Sequence, residues 1–145
     1  MSQKHSEVER GDSLAGYELR LREAGQFVTV QRRAILRCLL RHREHPTTAQ
    51  IAGSIGKSGS ASLATVYNNL ALFADLGIVH AVRAPDGEVR WDLRTGPHHH
   101  LTCEGCGHIA DIEHGAAEVT VRDPELRGRV SRSEVWLIGR CARCQ

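Results

Sequence analysis

The sequence predicts an α+β chain built in two parts, and three observations carry that reading. From Leu14 to Phe73 apolar residues recur at helical spacing, broken by residues that cap or stop helices. On either side of Pro85-Asp86-Gly87 the pattern changes to the alternation of two short strands. Beyond that hairpin, three histidines and two cysteines crowd into the nine positions His98 to Cys106, and Cys141-Ala142-Arg143-Cys144 repeats the Cys-x-x-Cys spacing.

The 145 residues are 41% hydrophobic and 25% charged. A chain of this size supports one or two small domains whose modest cores gain from dimerisation or a bound metal. A formal net charge of +2 identifies no nucleic-acid partner by itself, but the charge is unevenly spread. Between Tyr17 and His45, Arg20, Arg22, Arg32, Arg33, Arg37, Arg41 and Arg43 stand against only Glu18, Glu23 and Glu44. That makes a basic segment suited to positioning a phosphate backbone. No apolar run approaches the roughly 18 residues of a membrane span, and nothing at the start reads as a targeting segment. No membrane role and a cytoplasmic location are expected.

Residues 1–12 are polar and unpatterned, and are expected to be disordered. Asp12 or Ser13 then caps a helix carrying Leu14, Tyr17, Leu21 and Ala24, which Gly25 ends. Thr29 opens a second helix with Ile35, Leu36, Leu39 and Leu40 on its buried side, and Cys38 among them reads as a core thiol. Thr47 with Gln50 three residues on forms a capping box for a short third helix through Ile51, Ala52 and Ile55, followed by a Gly/Ser loop from Lys57 to Ala61. Ser62 caps the fourth helix, Leu63, Val66, Leu70 and Phe73 form its apolar stripe, and Gly77 stops it.

The outward face of the fourth helix is small and amide-bearing: Ala64, Thr65, Asn68 and Ala71, with Tyr67 and Asn69 on the flanks and no Lys or Arg between them. Small residues let a helix lie close to another surface, and an Asn side chain can pair with an adenine edge. Helices followed by the hairpin of Ile78–Arg83 and Glu88–Leu93 give the layout of a winged helix-turn-helix over residues 13–93, in which the last helix enters the major groove. Thr65, Tyr67, Asn68 and Asn69 are the candidate DNA-binding residues on that helix, with Arg20 of the basic segment as a backbone contact. A helical core used only for protein contacts is the competing interpretation.

Residues 94–97 read as a hinge, and residues 98–145 as a small C-terminal α/β dimerisation domain with a structural zinc site. Strands are expected at His98–Thr102, His108–Glu113 and Ser133–Gly139, with Pro124 breaking any long helix between the last two. Cys103, Cys106, Cys141 and Cys144 supply the four thiolates that zinc prefers, and paired Cys-x-x-Cys spacings in a reducing compartment point to metal rather than disulfides. Four sulfurs complete a zinc tetrahedron, so the histidines need a different ion. His98 and His100 stand at i and i+2, which on a strand puts both rings on one face and His99 on the other.

At this point the residues resemble the ferric uptake regulator (Fur) family of bacterial metal-dependent repressors. Ala64-Thr65-Val66-Tyr67-Asn68-Asn69-Leu70 is similar to its recognition-helix motif, and His98 to Cys106 with Cys141 to Cys144 is similar to its His-rich segment and structural zinc site. The resemblance is strongest to the peroxide-sensing PerR branch. It implies a regulatory metal held by His45 before Pro46-Thr47, Asp92 after Arg90-Trp91, His98, His100, and Asp111 eight residues after Cys103. Iron-sensing members tend to carry Glu at the two acidic positions. Pro97 stands where iron sensors often place another His, so the further metal site of some members is expected to be absent. The segment from His114 to Val130 departs from the family pattern, and no family role carries over to His99, His108 or His114. His42 is a lesser competitor to His45.

The resemblance implies a homodimer on a pseudo-palindromic double-stranded DNA operator, with hydrogen peroxide as the signal. Three imidazoles and two carboxylates suit Fe(II) or Mn(II), whereas the thiolates suit zinc. An iron- or zinc-responsive uptake regulator would use the same architecture. A metalloenzyme is disfavoured, because no His-Glu-x-x-His pairing, Ser/His/Asp set or phosphate-binding Gly loop is present.

Overall fold

Each α-helix among the described residues begins where a hydroxyl can accept a backbone N–H that the helix itself leaves unsatisfied. In the computed structural model, which describes residues 13–42, 44–56 and 60–145, these are α1 (Leu14–Glu23), α2 (Val30–Arg41), α3 (Thr48–Ile55) and α4 (Leu63–Asp75). The segment 1–12, Arg43 of the basic segment and residues 57–59 of the expected loop lie outside the described residues. Ser13, not Asp12, caps α1 by accepting the Gly16 N–H at 3.1 Å. Thr29 caps α2 and Ser62 caps α4 in the same way. At α3 the capping box closes from both sides, with Gln50 N–H on Thr47 Oγ1 at 3.2 Å and Thr47 N–H on Gln50 Oε1 at 2.9 Å.

The helix ends are equally explicit. Gly77, at φ 65°, turns the chain back so that Ile78 N–H reaches Phe73 O at 2.8 Å and Gly77 N–H reaches Ala74 O at 2.9 Å. Only a residue without Cβ takes that left-handed turn at no steric cost. Val79 N–H also points at Phe73 O, at 3.3 Å. Ile78 and Val79, expected in a strand, therefore belong to the helix stop, and the strand begins at His80.

The chain divides into two compact units, one closing at Thr95 and one running from Gly96 to Gln145. In the first, Tyr17, Leu21, Ile35, Leu36, Leu39, Ile51, Val66, Leu70, Phe73 and Ile78 form one buried cluster with Trp91. Leu63, expected on the apolar stripe, is instead 56% exposed, because the first turn of α4 extends past the core. Strands β1 (His80–Arg83) and β2 (Val89–Asp92) pair antiparallel, with His80 opposite Asp92. Gly87, at φ 86°, closes the hairpin turn, and Asp86 accepts the Glu88 N–H and binds Arg90 at 2.7 Å. That guanidinium holds the Asp86 carboxyl below its usual range. The other edge of β2 takes up the segment before α3: Trp91 N–H donates to Pro46 O at 3.0 Å, and Thr47 bridges Arg90.

The second unit is a sheet of three strands in the order β4–β3–β5, made from β3 (His98–Cys103), β4 (Ile109–Glu113) and β5 (Trp136–Gly139). β4 pairs antiparallel with β3, placing Asp111 opposite His100. β5 pairs parallel with β3, placing Trp136 opposite His100 and Gly139 opposite Cys103. A parallel return needs a long crossover, and most proteins fill it with an α-helix. Here residues 114–135 hold only a 3₁₀ turn at His114–Ala116 and a turn in which Asp123 accepts the Glu125 N–H at 2.9 Å. Pro124 follows that aspartate at the point where a helix would have to continue.

Arg20 is where the structure changes a sequence expectation most. Its Nη2 donates to Gly77 O at 2.8 Å and to Leu76 O at 3.3 Å, so the guanidinium caps the C-terminus of α4 instead of standing free over the surface. A cation there satisfies orphan carbonyls and faces the negative end of the helix dipole. Arg20→Ala is expected to lower the unfolding free energy by about 1–2 kcal/mol, read by urea titration. An unchanged midpoint would show that the contact adds nothing to stability.

Candidate metal centres and the outward face of α4

Cys103 ends β3 and Cys141 follows β5, so the parallel register alone brings the two Cys-x-x-Cys segments together. The turn after Cys103 is closed by Gly107 N–H on Cys103 O at 2.8 Å, with Gly107 at φ 70°. The other knuckle is closed by Cys144 N–H on Cys141 O at 2.8 Å. One Sγ from each of Cys103, Cys106, Cys141 and Cys144 lies within 4.8 Å of the others, and Cys106 and Cys141 sulfurs are 3.7 Å apart. That separation is far beyond a disulfide bond of about 2.05 Å. It matches the roughly 3.8 Å edge of a tetrahedron whose centre lies about 2.3 Å from each sulfur. The four-cysteine site fits structural zinc.

The charge state of the clasp leads to the same ion. The Cys141 backbone N–H, 3.3 Å from Cys103 Sγ, holds the Cys103 thiol down to about 6. Crowding by Cys106 first, then Cys141 and Cys103, pushes Cys144 up to about 12. The first proton leaves readily and the last is retained, because sulfurs so close cannot all carry charge without a cation among them.

The remaining ligand candidates lie in two sets, one per unit. In the first unit, His45 is 2% exposed and its Nε2 is 3.3 Å from Asp92 Oδ2. Among the described residues His45 is the one non-glycine residue with positive φ, at 53°, a conformation that costs energy and so must be imposed by its surroundings. The imposing contacts are those of β2: Arg90 Nη1 on His45 O at 3.4 Å, and Trp91 N–H on Pro46 O. Trp91 is itself fixed by its indole N–H on Thr48 Oγ1 at 2.9 Å. His42, by contrast, is exposed at the end of α2.

In the second unit, His98 and His100 point from one face of β3, with their Nε2 atoms 3.0 Å apart. Asp111 Oδ1 is 3.7 Å from the first and 4.0 Å from the second. Gly96 O, 2.8 Å from His98 Nδ1, can only accept, so His98 carries its proton there. Glu134 Oε1 stands 3.2 Å from His100 Nδ1. The two Nε2 atoms converge beside the Asp111 carboxylate, a set of donor atoms that a cation would bridge. These nitrogen and oxygen donors fit Fe(II) or Mn(II). His99 faces the other way and is saturated: its Nδ1 accepts Val135 N–H at 3.2 Å and its Nε2 donates to Ala117 O at 2.9 Å. His114 packs on it, with centroids 5.0 Å apart.

On α4, Thr65, Tyr67 and Asn68 are exposed, as the helical spacing requires. Asn69 is not available in the same sense. Its Oδ1 accepts Arg32 Nε–H at 3.0 Å and its Nδ2 donates to Thr65 O at 2.9 Å. Arg32 also donates to Phe27 O at 2.7 Å, so Asn69 ties α4 to the start of α2. The sequence puts Asn68 on the outward face and Asn69 on its flank, both as DNA-binding candidates; the packing shows that Asn69 is already engaged. It also passed over Gly105 and Glu134, for which the sequence carries no signal beyond a Gly inside a knuckle.

The family model described as "Ferric uptake regulator family" matches residues 23–127. The chain is 37% identical over 139 residues to the "Peroxide operon regulator" of Bacillus subtilis (strain 168), covering 90% of this chain and 96% of that protein. It is 37% identical over 134 residues to the "Peroxide-responsive repressor PerR" of Staphylococcus aureus (strain USA300), covering 86% of each. Among solved structures it is similar to one described as "Structural basis for peroxide sensing and gene regulation by PerR from Streptococcus pyogenes", at 30% identity and a TM-score of 0.54, covering 92% of this chain and 94% of that one.

Gly105 sets the distance between the knuckles. A Cβ there would stand 3.0 Å from Cys144 Cβ and 3.1 Å from Cys144 Sγ. Gly105→Ala should therefore weaken zinc retention about tenfold or more, measured as zinc lost to a competing chelator. Equal retention by the variant would show that the clasp has room the geometry denies it.

Proposed function

The chain belongs to the ferric uptake regulator family, and we propose that it is a metal-dependent transcriptional repressor of the peroxide response, reading its signal through one Fe(II) or Mn(II) ion held jointly by His45, Asp92, His98, His100 and Asp111. The observation that carries the reading is the convergence of the His98 and His100 Nε2 atoms with Asp111 beside them. On its own that set offers three donors, and His45 with Asp92 offers two more. Together these five nitrogen and oxygen donors would suit such an ion.

In this reading residues 94–97 are a hinge between a DNA-binding domain, 13–93, and a dimerisation domain, 98–145. Shared ligands restrict that hinge, which sets the spacing of two α4 helices across a homodimer. DNA half-sites about one helical turn, or a multiple, apart accept only some spacings. Asn68 reads base edges, Thr65 and Tyr67 contact the groove, and Asn69 acts by holding Arg32 and the N-terminal turn of α4 in place. Arg20 contributes by supporting α4 from its far end. The operator is pseudo-palindromic, and the protein works in the cytoplasm; no helix among the described residues is long and apolar enough to cross a membrane.

Fe(II) supplies the electron transfer that peroxide requires, and Mn(II) holds the same donors without it. The chain's own part is to present an imidazole as the nearest oxidisable group. Because that ligand is consumed, the event is sensing and not enzymatic turnover. Asp92 and Asp111 place their oxygens about 1.5 Å nearer the backbone than Glu would, which would leave peroxide more room beside a bound ion.

Two outcomes test this. Peroxide should release the Fe(II) form from its operator and leave the Mn(II) form bound, with one added oxygen found by mass spectrometry on a peptide containing His45, His98 or His100 only in the iron form. Asp111→Glu should keep metal-dependent binding and blunt the response. Iron-loaded protein that stays on DNA with unmodified histidines would favour an iron- or zinc-responsive uptake regulator. For the DNA face, Asn68→Ala should cost about 1–3 kcal/mol at particular base pairs; an equal loss on operator and random DNA, measured by competition binding, would exclude base readout by Asn68.

A further inference from the structure

His100 takes its orientation from residues outside the five proposed ligands. Its backbone N–H donates to Val135 O at 3.0 Å, and its Nδ1 stands 3.2 Å from Glu134 Oε1. The same Glu134 oxygen accepts the indole N–H of Trp136 at 3.1 Å. The Trp136 ring lies against the imidazole, centroids 4.6 Å apart with 21° between the planes. The parallel register explains the grouping: Trp136 is opposite His100, so Glu134 enters just ahead of β5 and reaches the ring edge that faces away from His98. Main chain, ring face and Nδ1 are each held by a neighbour on or beside one strand.

We propose that Glu134 is a positioning residue of the regulatory metal site, fixing His100 as the Nδ1–H tautomer and strengthening its Nε2 as a donor, with Trp136 holding the carboxylate and the ring in register. The proposal rests on the metal-regulator reading above. Its physical content is a contrast within β3. His98 Nδ1 meets the neutral carbonyl of Gly96 at 2.8 Å, whereas His100 Nδ1 faces an anion at 3.2 Å. A carboxylate at the far nitrogen raises the basicity of the near one more than a carbonyl does. The two imidazoles are therefore unequal ligands, His100 the stronger and His98 the weaker. Glu134 side-chain exposure of 24% keeps the carboxylate partly shielded while the imidazole it serves is at 0%.

The experiment uses the full chain with zinc in its four-cysteine site. Long-range ¹H–¹⁵N spectra of this protein without a second metal should show His100 as the Nδ1–H tautomer. Titration with Mn(II) should then give an affinity about 10- to 100-fold weaker for Glu134→Ala, with zinc content unchanged and the His100 tautomer no longer fixed. Glu134→Gln can still accept the Nδ1 proton but lacks the charge, so it should keep the tautomer and bind Mn(II) with intermediate affinity. Should Glu134→Ala lose zinc, the wild-type tautomer and the Glu134→Gln affinity decide the matter. An Nε2–H tautomer in the wild type, or wild-type Mn(II) affinity in Glu134→Gln, overturns the role given to Glu134. A wild-type chain that binds no Mn(II) or Fe(II) overturns the regulator reading itself, and with it the function assigned to this contact.

Discussion

The second unit gathers potential metal donors of like kind at contact distance in two groups, and it is built around both. At the clasp, four sulfurs lie within 4.8 Å; on β3, two imidazole Nε2 atoms stand 3.0 Å apart. Fully deprotonated, the four sulfurs would repel one another without a cation among them. The buried residues of that unit are His98, His99, His100, Cys103 and Ile109. Ile109 is the one ordinary hydrophobe among them. A unit of this size with so little apolar interior would gain stability from cations held by its donors, in the manner of small metal-dependent domains.

One strand organises these demands. The two-residue repeat of β3 sends His98 and His100 to one side and His99 to the other, where it holds the crossover through Ala117 and Val135. The strand ends at Cys103, already inside the clasp. Its parallel partner β5 starts opposite His100 and ends opposite Cys103, so the same pair of strands serves both sites. Glu104 N–H on Gly139 O at 2.8 Å continues that pairing into the clasp. Order at the sulfurs and order at Glu134 and Trp136 are properties of one ladder.

What the sequence disclosed, and what it withheld, divides along the range of the interactions. Helix caps at Thr29, Thr47 and Ser62, stops at Gly25 and Gly77, the turn at Gly87 and the cysteine pairs are local chemistry, and each stands in the structure where its spacing put it. Contacts between residues distant in the chain carry no such signature. Arg20 looks like any basic-segment arginine until Leu76 and Gly77 are seen beside it. Asn69 looks like a twin of Asn68 until Arg32 is seen to occupy its carbonyl oxygen. Glu134 lies in the expected strand Ser133–Gly139, but nothing in that strand marks its partner His100, 34 positions away. The parallel direction of β5 was equally hidden, since a crossover of turns gives no helical pattern to announce it.

The first unit solves a related problem with a different device. His45 is kept in a left-handed conformation by contacts to β2, the strand that also carries Asp92, so both proposed ligands share one support. The residue between those contacts is Trp91, buried at 3% exposure, pinned through its N–H to Thr48 at the start of α3 and edge-on to Tyr67 with ring centroids 6.2 Å apart. Tyr67 lies on the outward side of α4, and Asn68 is its neighbour. A displacement of β2 at Asp92 therefore moves a ring that touches the proposed reading helix directly, with no intervening loop to absorb it. Rigid packing transmits such shifts because a close-packed interior has few alternative arrangements. The placement of Asp92 one residue after Trp91 thus joins the proposed metal ligand to the proposed DNA face through adjacent residues.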